Sequence, residues 1–270
     1  RSRARNRQRP VTMSHHHEHI NQDRLADSAG VPWAGRSFEP NSWAGDNGQA
    51  DEALVASIRA LASGAGSNEQ VVAALSGARV LIPLLAELGE SGEGAHGQTV
   101  DKSADLAIVT VETPDGQDAL PVFSSVSAMS AWNPTARPVP VSAQKAAIAA
   151  AQEGNTRIVL DAANETEFVV RRPALAAIAQ GLAWVHPVRD ERVSSAFAEA
   201  TASIPEILNF ELSDCDPLSR LIAAEVQLEL TLKPGMSRDE LDGVMQNLAK
   251  ALAASEAVAE YVDSLRVKLV

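Results

Sequence analysis

The sequence predicts an α+β protein: a mixed β-sheet domain flanked by helices, followed by a smaller two-layer α/β domain. Three observations carry this expectation. Residues 106–125 place two apolar, β-branched runs around Thr113-Pro114-Asp115-Gly116, where proline presets φ and glycine supplies a left-handed position, as in a β-hairpin. Alanine- and leucine-rich segments with helical spacing lie on both sides of it. Beyond residue 190, alternating apolar runs and a capped helix recur. Length agrees, since 270 residues with 45% hydrophobic content can fill two ordinary cores. The expected divisions are a leader and Gly/Pro/aromatic arm over 1–48, the mixed-sheet domain over 49–189 and the two-layer domain over 190–270.

Residues 1–12 hold five arginines and no acid. Met13-Ser14 makes a good start, so this stretch is expected to be an upstream extension rather than a nucleic-acid arm. His15, His16, His17 and His19 have imidazoles suited to metals, but a terminal run lacks a second shell to fix them, so no metal or other cofactor is expected. The Gly30–Trp43 segment is too rich in glycine and proline for regular structure, and Trp33, Phe38 and Trp43 should anchor it along the body.

From Asp51 the spacing of Leu54, Val55, Ile58 and Leu61 predicts a helix, ended at Gly64–Ser67. Asn68 is expected to cap a second helix through Leu75, with Glu69 in its first turn. Arg79–Glu87 reads as a strand covered on both faces. Residues 89–99 carry four glycines and form a loop that leads to Asp101, Lys102 and Ser103, the best polar cluster of this half. After the hairpin come a helical turn over Ser127–Trp132 and an extended, proline-rich connector over Asn133–Val141. Ser142 caps a helix to Gln152; Arg157–Asp161 and Glu167–Arg171 make a second hairpin-like pair; Pro173 opens a helix that Gly181 ends.

In the last part, Leu208, Phe210 and Leu212 alternate with polar residues, and Asp216-Pro217 is expected to start a helix carrying Leu218, Leu221 and Ile222. Val226, Leu228, Leu230 and Leu232 define a half-buried strand. Ser237 and Glu240 make a capping box for a helix with an inner stripe of Leu241, Val244, Met245, Leu248 and Leu252. Leu265, Val267 and Leu269 close with a strand, giving a β-α-β-α-β order.

Charge and composition exclude several functions. The formal net charge is −12, and setting aside the five leader arginines leaves −17 on residues 13–270. Such a surface repels nucleic-acid backbone and anionic membrane, so neither is expected as a partner. Cys215 is the only cysteine, so no internal disulfide can form and a reducing cytoplasm fits. Flanked by Asp214 and Asp216, it is in a poor setting for a nucleophilic thiolate. No Gly-x-Ser-x-Gly elbow, phosphate loop or metal-ligand spacing occurs in the body, where only His96 and His186 supply imidazoles.

Gly30–Asn41, Thr99–Ser103, Ala119–Ser125, Ala131-Trp132-Asn133-Pro134, Arg137–Pro140, Ile158–Asp161 and Arg171–Leu175 together resemble the actinobacterial branch of the SseB family. The resemblance covers roughly residues 30–190, and residues 191–270 follow that family's C-terminal part only in pattern. The family is named for enhanced serine sensitivity, and the resemblance carries no catalytic residues. A sheet scaffold without a reactive constellation points instead to a cytoplasmic, non-catalytic interaction or regulatory protein with an unknown protein partner. The alternative is binding of an amino acid or related metabolite, for which Asp101, Lys102, Ser103, Trp33 and Trp132 are the candidate residues. An enzyme of unrecognised type is the least favoured reading.

Overall fold

The computed structural model describes residues 43–87 and 105–270. The chain divides after Ala44, and Gly45–Val270 form one compact unit of α+β architecture. Helix α1, Glu52–Ala62, starts where Asp51 accepts a hydrogen bond from the Leu54 amide at 3.0 Å, and it buries Leu54, Ile58 and Leu61. Helix α2, Asn68–Gly77, is capped by Ser67 rather than by Asn68, because Ser67 and Gln70 close a capping box. Asn68 is instead a buried first-turn residue whose amide donates to Asp214 Oδ2 at 3.4 Å.

Strand β1, Arg79–Glu87, runs as expected and pairs antiparallel with β2, Asp105–Ile108. The expected connector after residue 132 is a strand over most of its length: β5, Arg137–Ser142, forms the other edge of this sheet. Its prolines cost no ladder bonds. Leu81 exchanges both backbone hydrogen bonds with Phe123, so its partner Pro140, and Pro138 opposite Pro83, sit at non-hydrogen-bonded positions of an edge strand.

The hairpin is present but shorter than the sequence suggests. Strands β3, Val111–Glu112, and β4, Asp118–Val122, flank a turn in which Gly116 has φ 76° and donates to the Thr113 carbonyl at 2.8 Å. The upstream residues 105–108 leave it to pair with β1, and the two sheets meet at the Leu81–Phe123 bridge. Helix α3 spans Val126–Trp132 and α4 spans Ala143–Gln152, each opened by a serine cap. Strand β6, Ile158–Leu160, lies parallel to β4 and antiparallel to β7, Phe168–Val170, the expected pair. Helix α5, Arg172–Gln180, ends at Gly181 with φ 69°. Leu54, Val71, Leu75, Leu120, Val122, Ala146, Ala147, Leu160, Val170 and Leu175 belong to the first core.

A 3-10 turn at Pro187–Arg189 leads into α6, Glu191–Ala202. A three-stranded sheet follows, with β9, Val226–Leu232, between antiparallel β8, Ile207–Asp214, and parallel β10, Leu265–Leu269. A register shift near the start of β8 turns Leu208 out to solvent, against the expected stripe. Helices α7, Arg238–Ala253, and α8, Glu256–Tyr261, join α6 over a second core of Val193, Phe197, Leu228, Leu230, Val244 and Leu248.

The helix expected from Asp216 does not form. Ser219 and Leu221 hold φ of 50° and 57°, Ser219 exchanges hydrogen bonds with Val169 of β7, and the Asp216 carboxylate accepts from the amides of Arg220 and Leu221. Tertiary pairing has overridden local propensity. The observed order here is therefore α-β-β-α-α-β rather than β-α-β-α-β.

Candidate functional site

Between the two cores lies a seam of charged side chains. Arg171, the residue before α5, is 4% exposed and reaches Asp216 Oδ2 at 2.5 Å, Asp263 Oδ2 at 3.1 Å, Ser264 Oγ at 3.2 Å and the Ala223 carbonyl at 2.9 Å. Arg157, before β6, shares Asp263 at 3.1 Å and pairs with Asp115 of the hairpin turn. Arg172 donates to the Val262 carbonyl at 2.7 Å. The arginines come from strand and helix ends, where the backbone leaves the sheet and long side chains can span the gap.

A cavity of about 10 Å³, room for roughly one water, opens inside this seam among Arg171, Trp184, His186, Asp214, Asp216 and Glu225. Glu225 is 2% exposed; its Oε2 accepts from the Asp263 amide at 2.7 Å and its Oε1 has no hydrogen-bond partner. Burial, reinforced by Asp263 and Asp214, pushes its carboxyl up to about 7 against the pull of the amide bond and Arg171. His186 is equally buried, with Nδ1 accepting from the Val188 amide at 3.4 Å and Nε2 3.4 Å from Asp214 Oδ2. Burial lowers its imidazole and outweighs Asp214, so the ring is neutral and Nε2 carries the proton.

Beside α2 runs a wider groove of about 660 Å³, lined by Val72, Ala73, Ile178, Leu182 and Trp184, with Gln70, Ser76 and Gln144 among its polar groups. Leu182 is 59% exposed. Glu69 lines it as well, bound by Arg189 Nε at 2.6 Å and the His186 amide at 3.1 Å. Burial alone would raise the Glu69 carboxyl, but these bonds bring it down to about 2.

Of the residues singled out in the sequence, Trp33, Asp101, Lys102 and Ser103 lie outside the described residues. Trp132 ends α3 and packs on Phe123 with ring centroids 5.2 Å apart, beside Leu81 and Met129. It is not part of the seam. The seam residues escaped sequence reading because the pairs are far apart in the chain, 92 residues for Arg171 and Asp263. The one local signal was Ser-Asp-Cys-Asp at 213–216, where only the cysteine drew attention. Cys215 is half-buried, its thiol 3.7 Å from Gln227 Oε1.

Among the described residues, no group of three or more His, Cys, Asp or Glu side chains is set to hold a metal ion. No described helix is long and apolar enough to cross a membrane. No curated protein and no solved structure matches the chain. Residues 52–177, from the start of α1 into α5, match the family model for the SseB protein N-terminal domain, so this part of the chain is an SseB N-terminal domain.

Proposed function

We propose that the protein is a non-catalytic, cytoplasmic interaction module. The groove beside α2 supports this reading: it is open, apolar along its floor and rimmed by exposed Leu182 and, close by, Val185, 42% exposed. The seam supports it by contrast, because Arg157 and Arg171 are committed to Asp115, Asp216 and Asp263 rather than free to polarise a substrate. A photo-crosslinker placed at Leu182 of the full chain should trap a defined protein. The same group at exposed Asn247 on α7 should not. Identical products from the two positions would overturn the reading.

A second reading, binding of an amino acid or related metabolite, draws on the groove's size, which falls within the roughly 300–1,000 Å³ of small-molecule sites. A thermal-shift screen that includes serine tests it, since a ligand of the folded state raises the melting temperature. Alanine exchange at Trp33, Asp101, Lys102, Ser103 and Trp132, against exchange at Leu182, then tells which residues hold the ligand.

A further inference from the structure

Glu225 is placed where a fixed negative charge is hard to accommodate. Its polar neighbours converge from several elements: Asp214 from β8, Cys215 and Asp216 from the loop, Asp263 from the entry to β10, His186 from the linker and Arg171 from just before α5, with apolar Val72 of α2 and Phe168 and Val169 of β7 completing the cavity wall. Behind His186 stand Glu69 of α2 and Arg189. Arg171 is already bound to Asp216 and Asp263, and Arg157 to Asp263 and Asp115, so an ionised Glu225 would join Asp214, Asp216 and Asp263 where both guanidiniums are already committed. Its Oε1 finds no donor there, whereas a protonated carboxyl places an O–H beside a cavity of one water's size.

The same side chain controls the residue on which the joint depends. Glu225 Oε2 holds the Asp263 amide at 2.7 Å, and the Glu225 amide donates to Ser264 Oγ at 3.0 Å. Asp263 is the carboxylate shared by Arg157 and Arg171, both from the SseB domain. The charge on Glu225 therefore acts on the contact that joins that domain to β10.

We propose that the seam is a proton-operated latch: neutral Glu225 holds Asp263 in place for both arginines, and ionised Glu225 repels Asp214, Asp216 and Asp263 and loosens the joint. Burial that raises the carboxyl to about 7 puts the change in the neutral range. The latch closes on acidification and slackens as pH rises.

Hydrogen exchange on the full chain tests it, comparing amides 221–226 and 262–265 with those of β6 and corrected for intrinsic rate. Between about pH 6 and about pH 8 the neutral fraction falls about tenfold, so seam opening should rise about tenfold relative to β6. Glu225→Gln, which keeps an uncharged acceptor, should show no such rise. Equal behaviour of seam and β6 in the wild type, or the same rise in the variant, would overturn the latch. If the variant does not fold, carboxyl carbon NMR of the wild type decides: a Glu225 midpoint near 7 supports it and an ordinary glutamate midpoint refutes it.

Discussion

Arg171 shows how much one side chain carries here. It is almost fully buried and satisfies two buried carboxylates and a carbonyl, so its removal leaves Asp216 without its cation and Asp263 with Arg157 alone. Arg171→Met should cost about 3–5 kcal/mol in urea unfolding, because breaking a buried pair from one side strands the other charge. A loss below about 1 kcal/mol, the scale of exposed pairs, would show that water reaches the seam. Glu225 gives a pH prediction whose sign is fixed. Its folded value of about 7 lies above the ordinary 4.5, so in that window the native state binds more protons than the unfolded chain, and this group's contribution makes stability fall as pH rises. The full contribution is about 3 kcal/mol. His186, lowered by burial, works the opposite way and costs stability as pH drops below its ordinary 6.5. Urea unfolding at several pH values should therefore show Glu225→Gln gaining stability relative to wild type as pH rises through 4.5 to 7, and the same offset at every pH would contradict the assignment.

Most helix ends and turns of the first core were legible, whereas α6 and α8 were not read from the sequence. Asp51, Ser142, Ser237 with Glu240, and Gly181 mark ends by local chemistry, and each stands where that chemistry requires. Ser237→Ala should cost about 1 kcal/mol in thermal unfolding, the usual worth of a capping hydroxyl. The other illegible elements are those whose partners are remote. Strand β5 was hidden by its prolines, since only its register against β1 shows that Pro138 and Pro140 face away from the ladder. The loop after β8 was hidden by a good local helix signal that Ser219 gives up to pair with β7. The β6–β7 turn stores strain of its own, with exposed Ala163 at φ 62°. Ala163→Gly should stabilise by up to about 1 kcal/mol, and a loss would mean that backbone entropy outweighs the relief of strain.

At the scale of the whole molecule, two apolar cores meet at a polar seam, beside which Leu221 packs on Ala119, Val159 and Val169. Each core was foreseeable from periodicity, because burial patterns are local. Their joint was not. It is made by Arg157, Arg171, Asp216, Glu225 and Asp263, which lie scattered through the chain at a spacing that no local pattern joins. Native-state hydrogen exchange under increasing urea tests the coupling of the cores most directly, with β9 amides reporting on the second core and β6 amides on the first. In the wild type the two sets should open together in one cooperative step, and in Arg171→Met the β9 set should open at lower urea than the β6 set. Joint opening in the variant as in the wild type would contradict the claim that the charged seam binds the cores into one body.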